Sequence, residues 1–82
     1  MQGVVTVLFL GPLSDLAGTA SRGVPAPLDW QGLLEAVGPA VAQQLTQERV
    51  NVACAGTVLA DKTALKAQAG DEVALLPPVS GG

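Results

Sequence analysis

The sequence contains no histidine, no tyrosine and a single cysteine, Cys54. A chain without histidine lacks the side chain that most often acts as an acid or base near neutral pH. One cysteine cannot form an internal disulfide, whereas small secreted domains usually carry several. These absences argue against catalytic side chains in the chain itself and predict a cytoplasmic location.

Aromatic and charged residues are also scarce. Phe9 and Trp30 are the only aromatics, so the core must be aliphatic. Charged residues make up 13% of the chain and the net charge is −3, which argues against nucleic acid as a partner. Because no apolar run is long enough to cross a bilayer and no secretory signal is evident, we expect no membrane association.

The residues that are present predict one small folded domain. Hydrophobic residues make up 49% of the 82 positions, a share typical of a folding chain. The pattern predicts a turn of helix at 13–16 and a broken helix over 30–47. It predicts strands at 4–10, 24–28, 50–55, 58–60 and 72–76. This order favours an α+β fold, a mixed β-sheet packed on one main kinked helix.

Local signals support the helix and the centre of the sheet. Asp29 is a good N-cap, and Leu28 and Leu33 occupy the hydrophobic-staple positions around it. Gly38-Pro39 interrupts the apolar stripe, because proline suits the first turn of a second helix better than the middle of one. The first and last strands are the most apolar, so we place them centrally and parallel to each other.

The C-terminal segment has a distinct composition. After Glu72 there is no charged side chain, and Pro77-Pro78 ends the last strand and stiffens the exit from it. The chain finishes with Gly81-Gly82, which another protein could enclose tightly because glycine has no side chain. A frayed end is the ordinary alternative for terminal residues. We divide the chain into a folded domain, residues 1–76, and an extended tail, residues 77–82.

The segment 70–82, with its Gly-Asp-Glu-Val-Ala start, Pro-Pro-Val segment and terminal Ser-Gly-Gly, resembles the end of the small subunit of molybdopterin synthase. Residues 5–9 and 50–53 are also similar to that family. The resemblance implies the ubiquitin-like β-grasp fold. Two departures concern partner contacts: Leu75-Leu76 stands where the family often has two phenylalanines, and residues 13–16 replace an Arg-Glu motif.

The resemblance also implies a function. An activating enzyme would use ATP to adenylate the carboxylate of Gly82, and a sulfur donor protein would convert the adenylate to a thiocarboxylate. The chain itself would bind no cofactor. It would donate this sulfur to a pterin precursor in molybdenum cofactor biosynthesis, within a heterotetramer with the large subunit of molybdopterin synthase. The residues entering partner active sites would be Val79, Ser80, Gly81 and Gly82, and those docking the partner would be Leu75, Leu76, Pro77 and Pro78.

Three alternatives remain at this stage. The chain could carry sulfur for another product, such as the thiazole of thiamine or an amino acid. It could be a ubiquitin-like modifier that is joined to lysines through Gly82. It could also be a plain β-grasp binding module, in which case deleting Gly82 would change nothing.

Other side chains have simpler interpretations. Cys54 shares a strand face with Val50 and Val52, which favours a small core residue over a redox thiol. Asp71-Glu72 is a solvated turn rather than a metal site, and no metal is expected. Trp30 could anchor an interface or cover the helix start. Lys62 and Lys66 are expected to be solvated at the surface rather than modified or paired with a partner.

Overall fold

Residues 3–78, the part that the computed structural model describes, contain two β-sheets and three helices. The strands are β1 (Val4–Phe9), β2 (Ser21–Pro25), β3 (Leu28–Asp29), β4 (Asn51–Cys54), β5 (Thr57–Val58), β6 (Lys66–Ala67) and β7 (Glu72–Leu76). The helices are α1 (Pro12–Ala17), α2 (Trp30–Val37) and α3 (Pro39–Leu45), and Lys62–Ala64 form a 3₁₀ turn.

The first and last strands form the centre of the main sheet, whose strand order is β2-β1-β7-β4-β5. Strands β1 and β7 are parallel, with pairs running from Thr6–Glu72 to Phe9–Leu75. Strand β2 pairs with β1 and strand β4 pairs with β7, both in the antiparallel direction. The predicted mixed sheet with a central parallel pair is therefore confirmed.

The core lies on one face of this sheet. Alternate residues of β1 and β7 point inward, among them Val5, Val7, Val73 and Leu75, which are at most 1% exposed. Helices α2 and α3 contribute a stripe of buried residues to the same cluster, namely Leu33, Val37, Val41 and Leu45. The other face of the sheet carries the alternate residues, which are exposed or half-buried.

The predicted broken helix consists of two separate helices. The Asp29 carboxylate caps the first one, since its Oδ1 accepts a hydrogen bond from the backbone N–H of Gly32 at 2.7 Å. Gly38 stands between the helices with φ 85° and ψ 165°, a backbone conformation that only glycine adopts easily. Pro39 then begins α3, as the sequence indicated.

Two predictions about strands were wrong in detail. The strand expected at 24–28 lies at Ser21–Pro25, on the edge of the sheet. Residues 21–23 of this strand were expected to belong to a loop. The segment 61–71 was expected to be a connection, yet Lys66–Ala67 pairs with Leu28–Asp29 as a two-stranded sheet. Two residues are too few for an alternating pattern, so the sequence carries no signal for this pairing.

Arg22 connects the edge of the sheet to the end of helix α2. Its Nη1 donates a hydrogen bond to the carbonyl oxygen of Ala36 at 2.7 Å, in the last turn of the helix. Its guanidinium lies 5.8 Å from the centre of the Phe9 ring, within the range of a cation–π contact. The side chain thereby satisfies a terminal helix carbonyl that would otherwise need water.

We expect Arg22→Ala to lower the free energy of unfolding by about 2 kcal/mol, because it removes a charged hydrogen bond and the contact with Phe9. Chemical denaturation of the purified protein measures this change. Arg49→Ala is the matched control, since Arg49 is exposed, and it should change stability by less than about 0.5 kcal/mol. Equal effects of the two substitutions would contradict the role given to Arg22.

Candidate functional site

The predicted tail begins at the end of the central strand β7. Its first residue, Pro77, is partly buried, and Pro78 is exposed. The other predicted tail residues, Val79, Ser80, Gly81 and Gly82, lie outside the described residues. The structure therefore describes where the tail starts, at one end of the sheet, next to the loop that follows β1.

The two leucines before the tail have different surroundings. Leu75 is 0% exposed and belongs to the core, so its side chain is not available to a partner. The prediction that Leu75 docks a partner must be corrected for this reason. Leu76 points to the opposite face and is half-buried. The docking prediction thus narrows to Leu76, Pro77 and Pro78.

The outer face of the sheet carries a continuous apolar row. Strand pairing places Leu8 beside Ala74, Ala74 beside Ala53, and Ala53 beside Val58. We call these four residues the outer apolar row. Two of its members are alanines, so the middle of the face is shallow. A face of this kind can accept the side chains of another protein.

Two residues near the tail, Leu10 and Gly11, were not predicted from the sequence to belong to the site. Leu10, directly after β1, is 40% exposed and lies at the end of the sheet where β7 also ends. Gly11 follows it, and a Cβ atom added there would lie 3.3 Å from Cγ of Pro77. From the sequence, Gly11-Pro12 was interpreted only as the end of a strand. The alternation that places Val4, Thr6 and Leu8 on the outer face of the sheet could have indicated Leu10.

Cys54 lies at the other end of β7, where it pairs with Val73. Its thiol is partly buried, and it packs against the core as the sequence indicated. Burial raises the pKa of the Cys54 thiol, and the nearby Asp71 carboxylate raises this pKa further. A raised pKa means less thiolate at neutral pH, which is the opposite of what a sulfur-relay cysteine requires.

Lys62 was expected to be solvated, and this prediction was wrong. Its Nζ donates hydrogen bonds to the carbonyl oxygens of Gln47 and Val50, the second at 2.6 Å. Burial lowers the pKa of the Lys62 ammonium, and Glu48 opposes this effect. The side chain therefore holds the segment after α3 against the 3₁₀ turn. Lys66, in contrast, is exposed.

Of the acidic pair Asp71-Glu72, only Asp71 makes a side-chain hydrogen bond to the backbone. The Asp71 Oδ2 accepts a hydrogen bond from the backbone N–H of Gln68 at 2.8 Å and so closes the turn before β7. Glu72 is exposed. Across residues 3–78, no three His, Cys, Asp or Glu side chains lie close enough together to hold a metal ion.

Trp30 begins helix α2 and packs, partly buried, against the core. This position favours its role in covering the helix start. None of the helices within residues 3–78 is long and apolar enough to cross a membrane. The side chains described in this section thus supply structural contacts and an apolar surface.

Comparison with known proteins gives the family. Residues 7–82 match the sequence profile of the ThiS family, which covers most of the folded domain and the whole tail. The chain belongs to the ThiS family. This is a family of ubiquitin-like sulfur carriers and modifiers, so the resemblance stated above is confirmed at that level. A search of curated proteins gave no match to this ThiS family chain.

Solved structures agree on the ubiquitin-like β-grasp fold. The HVO 2177 protein of Haloferax volcanii has a TM-score of 0.78 at 22% identity, over 99% of this chain and 88% of that one. SAMP1 of Haloferax volcanii, a small archaeal modifier protein, has a TM-score of 0.71 at 28% identity, over 98% of this chain and 100% of that one. A Pyrococcus furiosus protein named as molybdopterin converting factor, subunit 1, has a TM-score of 0.67 at 21% identity, over 94% of this chain and 99% of that one.

We expect the Cys54 thiol to titrate above a small free thiol, because burial and the Asp71 charge both disfavour the thiolate. The rate of alkylation by iodoacetamide, followed against pH with glutathione in parallel, gives both midpoints. Asp71→Asn should lower the midpoint of Cys54, since it removes the charge and keeps an oxygen for the Gln68 N–H. Glu72→Gln should leave it unchanged, and a midpoint at or below that of glutathione would contradict the assignment.

Proposed function

We propose that this protein is a sulfur carrier, the small subunit of a molybdopterin synthase, and that its reactive group is a thiocarboxylate at Gly82. The observation that carries the proposal is the family match, which extends without a break to Gly82. The sequence of residues 70–82 supports the more specific assignment to molybdopterin synthase. The partners would then be its large subunit, in a heterotetramer, together with an activating enzyme and a sulfur donor protein in the cytoplasm.

The fold suits this role because the tail continues from a central strand. Strand β7 pairs on both sides, with β1 and with β4, so the strand before the tail is held along its length. Rigid support near the root reduces the conformational freedom that the tail must lose when it enters another protein. The same support would serve an activating enzyme and a synthase in turn.

The proposed chemistry starts at the carboxylate. One oxygen of the Gly82 carboxylate attacks the α-phosphate of ATP, which forms an acyl adenylate and releases pyrophosphate. A sulfur nucleophile at the oxidation level of sulfide then attacks the acyl carbon. The bond between that carbon and the phosphate oxygen breaks, and AMP leaves with that oxygen. The product is a thiocarboxylate, a stronger nucleophile than the carboxylate it replaces. Catalytic side chains would come from the partner proteins.

The surface near the tail gives the partners a place to bind. Leu10 and Leu76 flank the tail root, and the outer apolar row begins two residues before each of them, at Leu8 and Ala74. Burial of these apolar side chains would supply the binding energy. The net charge of −3 would favour a partner with a basic rim.

A ubiquitin-like modifier is the second candidate. The observation in its favour is the 28% identity to SAMP1 across 98% of this chain. A modifier would also use an adenylated Gly82, but the amine of a lysine would attack the acyl carbon in place of sulfur. Carriage of sulfur for the thiazole of thiamine or for an amino acid needs the same tail and differs only in the partner that accepts it.

Intact mass spectrometry tests the carrier function. After incubation with ATP, sulfide and the adenylating enzyme encoded in the same genome, we expect a species heavier by the replacement of one oxygen with sulfur. The chain lacking Gly82 should show no such species, because its carboxylate lies one residue short. Omission of ATP is the second control.

The outcomes of this experiment separate the candidates. A wild-type chain that stays unmodified with a competent enzyme would overturn the carrier proposal. Lysine conjugates without any thiocarboxylate would favour the modifier. A complementation experiment tests the specific pathway. If expression of this protein restores growth to a strain that lacks the molybdopterin synthase small subunit, but not to a strain that lacks the thiazole sulfur carrier, the assignment to molybdopterin synthase is supported.

The apolar surface near the tail gives a second prediction. We expect Leu10→Asp to raise the KM of the adenylating enzyme for this protein roughly tenfold, because a charge would be buried at the interface. Val4→Asp is the matched control. Val4 is 54% exposed and begins β1, the strand that ends just before Leu10, so it lies six residues away from Leu10, roughly 20 Å along the strand. A similar rise in KM for both variants would contradict docking at the tail root.

A further inference from the structure

Pro77 packs against the backbone of the loop between β1 and α1. A Cβ atom added at Gly11 would lie 3.3 Å from Cγ of Pro77, slightly closer than an ordinary van der Waals contact, so the Pro77 ring borders the space that a side chain at Gly11 would fill. Pro77 is partly buried and Pro78 is exposed, which places this contact at the point where the chain emerges from the fold. We call Gly11 and the Pro77 ring that rests on it the tail seat.

The loop side of the tail seat is held in one conformation. Gly11 has φ 56° and ψ −135°, a backbone conformation that residues other than glycine rarely adopt. Its carbonyl oxygen accepts two hydrogen bonds from Ser14, one from the backbone N–H at 3.1 Å and one from Oγ at 2.8 Å. Leu13 fixes the other side, since it is 3% exposed and its N–H donates to the carbonyl of Leu10.

The tail side has little freedom as well. The ring of Pro77 fixes its own φ and keeps Leu76 before it in an extended conformation. Leu76 is the last residue of β7, where it pairs with Asn51. The direction of the chain after β7 is therefore set by few rotations, and contact with Gly11 limits those that remain.

We propose that the tail seat, Gly11 together with Pro77, sets the direction in which the chain leaves the sheet at Pro77 and Pro78, and that both act as positioning residues for the reactions of Gly82. The second half of this inference rests on the function proposed above. A tail whose direction is already fixed loses less conformational freedom when it enters an active site. Misplacement of a reacting group by about 1 Å can lower the reaction rate roughly a hundredfold.

The first experiment measures direction without any partner. Residual dipolar couplings of the Cα–Hα bonds of Pro77 and Pro78, recorded in a weakly aligned sample, report how these bonds are oriented relative to the sheet. We expect Gly11→Ala to change both couplings. Gly38→Ala is the matched control, because Gly38 also has a conformation that disfavours side chains, yet a Cβ there meets nothing within 4 Å. Unchanged couplings in Gly11→Ala would overturn the proposal.

A second variant guards against loss of folding in Gly11→Ala. Ser14→Ala adds no atom and removes only the Oγ hydrogen bond to Gly11. We expect it to shift the couplings of Pro77 and Pro78 in the same sense, by a smaller amount. If Gly11→Ala does not fold and Ser14→Ala leaves the couplings as in wild type, the proposal is wrong.

The second experiment measures the consequence for activation of Gly82. With the adenylating enzyme encoded in the same genome, we expect Gly11→Ala to lower kcat roughly tenfold or more while KM stays near the wild-type value. Gly38→Ala should leave both constants unchanged. A rise in KM at constant kcat would mean that Gly11 belongs to the docking surface, and would overturn the positioning role.

The two experiments separate this inference from the proposed function. If the wild-type protein is not adenylated, the proposed function fails, and the dipolar couplings still decide whether the tail seat sets the direction. If the wild-type protein is adenylated and Gly11→Ala keeps wild-type couplings and kcat, the inference fails and the proposed function stands.

Discussion

The parallel pairing of β1 with β7 is the interaction on which the rest of this structure depends. The two strands are far apart in sequence. Strand β2 pairs with β1, strand β4 pairs with β7, and β5 joins the main sheet through β4. Their inward faces carry the largest part of the sheet's contribution to the core, and their outward faces carry the start of the apolar row. Because both strands end at the same side of the sheet, the loop after β1 and the tail after β7 lie next to each other.

That neighbourhood connects the fold to the proposed function. Leu10, Gly11, Leu76 and Pro77 come from two distant parts of the sequence and meet only because the strands are parallel. An antiparallel arrangement would have placed the tail root beside the start of β1, where Gly3 and Val4 lie. Under the proposed function, this arrangement places the docking surface beside the first residues of the tail.

Much of the fold followed from the sequence, and the reasons are visible in single residues. Asp29 and Gly38-Pro39 marked the helix boundaries because capping and proline geometry act locally. The apolar character of 4–10 and 72–76 identified the central strands. The β3–β6 pair, the bonds of Lys62 to Gln47 and Val50, and the contact of Gly11 with Pro77 could not be predicted. Each depends on tertiary distance, and no local pattern records it.

The central parallel pair also bears on how the chain folds as it is made. Thr6 is synthesised 66 residues before its partner Glu72. Contacts between such distant residues form slowly, since a long loop must close first. The sheet can close only after β7 has left the ribosome. Residues 77–82 follow β7. Under the proposed function, an activating enzyme that recognised the completed sheet would act only on chains that had finished folding.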